Sequence, residues 1–167
     1  MVNFKKLFIV VLLLVFVVAS IFLGVIVCSN NSYLMNYSKE LFSKLKISES
    51  EDFEKHLNKY NVIHLDVSSV FDFHKEDLIE YVHEIICEDL KNEFDDTLDY
   101  SKELFLLFHE IYARTKTQFV IIIDEWDCVV RNSEDKELVH RYLQFLHSLF
   151  KSEESKAFLA LAYITGI

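Results

Sequence analysis

Two adjacent carboxylates, Asp124 and Glu125, follow five unbroken apolar residues in the stretch FVIIIDE. An apolar strand that ends in Asp-Glu is what a nucleotide-hydrolysing P-loop domain uses as its Walker B motif: the Asp helps to hold Mg²⁺ and the Glu polarises the attacking water. Thr165 follows a second apolar run, FLALAYI, where a hydroxyl could touch that water or a terminal phosphate. The pattern is moderately specific, because a strand end can also present acids only to solvent or to a neighbouring helix. Trp126 and Asp127 thicken the cluster without fixing its role, and Trp126 could as well cover the sheet edge as stack on a ligand.

The partner that such acids normally serve is missing. A phosphate loop of the form G-x-x-x-x-G-K-[ST] needs closely spaced glycines so that backbone N–H groups can wrap the phosphates. The chain has two glycines, Gly24 and Gly166, and no such loop can be drawn through either. A chain built this way is not expected to hydrolyse ATP. Other chemistries find less footing. His83, His109, His140 and His147 fall on expected helices but form no H-E-x-x-H or comparable ligand pair, which suits surface or boundary roles. A nucleophile elbow G-x-S-x-G is absent. Asp124, Glu125 and Asp127 could instead bind a divalent metal for nuclease-like hydrolysis, though no basic groove accompanies them.

The acids need a sheet to position them, and hydrophobic periodicity supplies one. Strands are expected over 62–67 (VIHLDV), 119–124 and 158–164. Helices are expected over 37–45, from a Ser48–Glu51 capping box to about residue 60, over 75–94, over 100–115, and from a Ser133 cap to about residue 152. The core stripes are Leu78, Val82, Ile85, Ile86, Leu90 and Phe94; Leu104, Leu107, Phe108, Ile111 and Tyr112; and Leu138, Tyr142, Phe145, Leu146 and Leu149. Strands alternating with helices, each strand nearly all apolar, argue for a parallel α/β sheet, with ligands at the carboxyl ends of its strands.

With 167 residues, no proline, and 15 phenylalanines, one domain of roughly 140 residues behind an apolar leader is the natural division. The leader is residues 1–30. Within it, residues 7–27 carry no charge over 21 positions, about 31 Å of helix at roughly 1.5 Å per residue, enough to cross a bilayer. That core is longer than a cleaved signal peptide needs, so a single-pass N-terminal anchor is expected. Lys5 and Lys6 precede it and would keep the N-terminus in the cytoplasm, sending the rest outside, where ATP is scarce. If the leader is not a genuine part of the protein, the cytoplasm is the alternative.

Net charge is -10, or -12 without Lys5 and Lys6 (15 basic against 27 acidic), which disfavours direct nucleic-acid binding. Cys28, Cys87 and Cys128 are widely spaced with no C-x-x-C pair, so no disulfide framework or zinc knuckle is indicated, and Cys87 in an apolar helical run and Cys128 just after a strand suit buried thiols in a reducing compartment. Val27 before Cys28 argues against a lipid-attachment signal.

Three blocks, LFSKLKISESEDFEKHLNKYNVIHLDVS, VIIIDEWDCVVR and LALAYITGI, resemble in order the bacterial AAA-ATPase-like proteins that often carry a PD-(D/E)xK nuclease-like domain. The likeness runs over residues 37–167 and implies a partial P-loop NTPase-like domain with ATP and Mg²⁺ as cofactors. It implies Asp124 as the cofactor and metal residue, and Glu125 with Thr165 as the catalytic pair of acid and sensor. In that family a strand and an R-P-R-R-F-G-K-[ST] loop precede the first block, and a further strand and an arginine-bearing lid follow the last. Here the apolar leader stands in the place of the loop. A fragment or rearranged reading frame of an AAA-ATPase-like protein is therefore expected, with a membrane-tethered, catalytically dead binding module as the rival and a metal-dependent nuclease behind it.

Overall fold

A strand of five consecutive aromatic or β-branched residues has no polar face to show to water, so FVIII belongs at the centre of a sheet covered on both sides. The computed structural model, which describes residues 38–94 and 97–167, puts it there. Strand β2 (Phe119–Asp124) lies between β1 (Asn61–Asp66) and β3 (Leu159–Ile164), and both pairings are parallel. Val62 sits opposite Val120 and Asp66 opposite Asp124. On the other side Tyr163 is opposite Ile122 and Ile164 opposite Ile123, after an irregularity between Phe119 and Val120.

The crossovers are helical, as parallel strands require. Between β1 and β2 run α2 (Val67–Phe73), α3 (Leu78–Glu93) and α4 (Leu104–Thr115); between β2 and β3 run α5 (Cys128–Asn132), α6 (Lys136–Lys151) and α7 (Ser155–Phe158). Ahead of β1, residues 38–42 are helical and a 3₁₀ turn (Lys46–Glu49) leads to α1 (Phe53–His56). The main core joins Ile63, Leu65, Phe119, Ile121 and Ile123 of the sheet to the inward stripes of α3, α4 and α6. Ile85, Phe94, Tyr112 and Phe145 of those stripes pack at its margin, half-buried. At the core's base three rings meet, Phe119 lying 4.6 Å from Phe108 and 6.2 Å from Phe158, centroid to centroid.

Strand β2 has the expected bounds, whereas side-chain capping moves several others. The strand expected over 62–67 stops at Asp66, because the Asp66 carboxylate accepts from the Ser68 and Ser69 amides at 3.0 and 3.3 Å and from both hydroxyls, turning Val67 into the first residue of a helix. Burial works against ionisation of Asp66, but these donors outweigh it and hold the carboxyl below its ordinary value. The Ser48–Glu51 capping box does not form: Ser48 lies inside the 3₁₀ turn with its hydroxyl donating back to the Leu45 carbonyl at 2.8 Å, and α1 is a single turn headed by Asp52. Ser133 is not the cap of α6 either. It follows α5, and Asp135 caps α6 by accepting from Glu137 N and Leu138 N at 2.8 and 3.2 Å.

Two expected helices start late, α3 at Leu78 instead of residue 75 and α4 at Leu104 instead of residue 100, and Phe158 closes the one-turn α7 before β3 begins. Asp135→Ala should lower stability by about 1 kcal/mol, with Asp135→Asn near neutral, in urea titrations followed by circular dichroism. The apolar stretch 7–27 lies outside the described residues; among those described, no helix is long and apolar enough to cross a membrane.

Candidate functional site

The three strands deliver Asp66, Asp124 and Thr165 to one edge of the sheet. Asp66 and Asp124 are register partners at the ends of β1 and β2, and Thr165 directly follows β3. Asp66 is committed to capping α2. Asp124 is exposed, and its Oδ1 accepts a short hydrogen bond from the Thr165 hydroxyl. Two of the residues singled out in the sequence, Asp124 and Thr165, are thus in direct contact. Backbone bonds hold the pair in place: Thr165 N donates to Ile123 O at 2.9 Å and Trp126 N to Thr165 O at 3.0 Å.

Glu125, the third expected site residue, occupies the turn that makes the second of those bonds possible. Its φ is 50°, the left-handed region that costs a residue with a Cβ about 1 kcal/mol. Its carboxylate is occupied, since Arg131 Nη2 lies 3.0 Å from Glu125 Oε2 while Arg131 Nε contacts Asp127 Oδ2 at 2.8 Å. One guanidinium therefore bridges two of the acids. Asp127 is itself 9 % exposed, and its Oδ1 has no hydrogen-bond partner among the described residues.

Gly166 closes over that carboxylate. A Cβ at position 166 would stand 2.4 Å from Asp127 Oδ1 and 3.0 Å from Trp126 Nε1, so no side chain fits there without displacing one of them. From below, the Tyr142 hydroxyl donates to Trp126 O at 2.8 Å. Burial, reinforced by Cys128 and Asp127, pushes the Tyr142 phenol well above its usual value and keeps it a donor.

Arg131, Gly166, Tyr142 and the placement of Asp66 are the parts of the site that sequence reasoning missed. Arg131 had a signal, since Asp127 and Arg131 are four apart and meet on one helical face. The histidines behave as expected of boundary groups: His83 bonds the Lys102 carbonyl at 2.7 Å, and His140 and His147 are exposed. Cys87 and Cys128 are buried free thiols, while Cys28 lies outside the described residues. Glu125 and Asp127 share Arg131, and among the described residues no three His, Cys, Asp or Glu groups are placed to hold a metal ion together.

A three-stranded parallel sheet flanked by helices, with Asp66, Asp124 and Thr165 at its carboxyl edge, defines the chain as an α/β protein. Residues 19–167 match the family model described as predicted AAA-ATPase, AAA-ATPase-like, and the chain belongs to that family. Comparison with curated proteins gives no match, nor does comparison with solved structures.

The family implies nucleotide and Mg²⁺, and the residues present fit them unequally. Asp124 is an exposed oxygen donor of the type a hard cation takes. No glycine occurs between Gly24 and Gly166, so the described residues hold no glycine-rich loop of the kind that cradles phosphates.

Proposed function

We propose that this chain carries the acidic side of an AAA-type nucleotide site, a partial P-loop NTPase-like fold in which Asp124 and Glu125 stand at the Walker B position and Thr165 at the sensor position, and that it does not hydrolyse ATP by itself. The reading is carried by the absence of glycine from residue 25 to residue 165 in a chain whose sheet otherwise gathers the expected acids at its carboxyl edge. The pairing of Glu125 with Arg131 supports it, since a carboxylate engaged by a guanidinium is a poor acceptor for a water proton. Asp124 keeps its outward oxygen for a cation, and Thr165 orients that carboxylate through its hydroxyl.

The full chain in detergent, titrated calorimetrically with Mg-ATP, should show no saturable binding at millimolar nucleotide and no phosphate release above buffer. Saturable micromolar binding would overturn the claim that a phosphate loop is required and lacking.

A further inference from the structure

In a chain of net charge -10, helices α3 and α6 divide their charge unevenly. Helix α3 holds five acids against one lysine, and α6 holds three lysine or arginine residues against one acid. Helical spacing turns these charges outward. Glu80, Glu84 and Glu88 recur every four residues and are exposed. Lys136, His140, His147 and Lys151 are exposed as well, and at about 100° per residue they share less than a quarter of the circumference of α6. Leu143, 42 % exposed, lies within that basic stripe.

The two helices are neighbours on one side of the sheet. Both pack on the main core, and Arg141 of α6 is paired with Glu80 of α3. A cleft of about 400 Å³ opens between them and the start of α4, over an apolar floor of Ile79, Leu104 and Phe145. An acidic ridge beside a basic ridge makes a surface that is complementary to itself. A two-fold axis lying along the cleft sets the acidic helix of each copy over the basic helix of the other and closes the two clefts on one another.

We propose that this face docks a second copy of the chain, in a transient dimer that sets α3 of each copy against α6 of the other. Each helix has 16 residues, about 24 Å, and two side by side present roughly 500 Å² per copy, the low end for a specific pair. Local charge selects the partner, because two copies of an acidic chain repel at long range. At physiological ionic strength that repulsion is screened beyond about 8 Å, while facing side chains still attract. None of these residues belongs to the carboxyl-edge site, so the pairing does not rest on the nucleotide reading.

The test uses the full chain in detergent at physiological salt, carrying Leu143→p-benzoylphenylalanine, with isotope-labelled and unlabelled copies mixed. Irradiation should cross-link labelled to unlabelled copies, and mass spectrometry should map the joint to α3, residues 78–93. Glu84→Lys/Glu88→Lys alone, and Lys136→Glu/Lys151→Glu alone, should each lower that yield about tenfold. Mixing the two variants should restore it, because every reversed helix then faces an opposite charge and every native helix does too. Association through any other part of the chain would be indifferent to mixing. If circular dichroism shows that either reversed chain has lost its fold, Glu84→Gln/Glu88→Gln takes its place and should lower the yield about threefold. Cross-links confined to one copy or mapping outside α3, a yield that the substitutions leave unchanged, or a loss that folded variants do not restore on mixing overturns the proposal.

Discussion

Phe119→Ala is expected to lower unfolding stability by about 3 to 5 kcal/mol, the largest effect of any single truncation in the sheet. Phe119 is fully buried, and its ring meets Phe108 of α4 and Phe158 of α7, so it ties the middle strand to both crossovers at once. Three rings held by mutual contact cannot close over the missing one without moving a helix, which places the cost at the upper part of the range for large-to-small changes. Phe119→Leu should recover most of it. Urea denaturation checks this as a fall in midpoint with an unchanged slope; a loss under 1.5 kcal/mol would mean the ring cluster relaxes freely.

Arg131→Ala is expected to destabilise by about 1 to 3 kcal/mol. The loss comes from Asp127, a buried carboxylate whose Oδ1 has no partner among the described residues and whose Oδ2 pairs with Arg131. Partial exposure of Arg131 keeps the figure below that of a wholly buried pair. The double variant Arg131→Ala/Asp127→Ala should regain part of the loss, and a thermodynamic cycle reads the coupling. Additive losses in that cycle would show that Arg131 acts on Glu125 or the backbone and not on Asp127.

Much of the architecture was legible because it is written in hydrophobic spacing. The FVIII run could only be a central strand, and the stripes of α3, α4 and α6 repeat at helical spacing over twelve or more residues. What escaped was set by single hydrogen bonds. Val67 is β-branched and extends an apolar run, yet Asp66 accepting from two amides makes it helical. Ser48 and Ser133 have the right chemistry for caps, but Asp52 and Asp135 stand a few residues on and the helices begin from them.

The site divides the same way. Asp124 and Thr165 could be placed at strand ends from hydrophobic spacing, and their side chains are in contact there. Arg131 was missed because α5 is five residues long and too short to show a helical stripe, which left its spacing of four from Asp127 as the one available signal.

The left-handed turns have a wider consequence. Asn58, Lys116 and Glu125 adopt positive φ, and no described glycine does. A chain with two glycines has a narrower denatured ensemble than one that spends glycine at each turn, so ordering its backbone forfeits less entropy. Its turns are strained when native and cheap to fix, which shifts part of the fold's stability out of the folded contacts and into the restricted freedom of the unfolded chain.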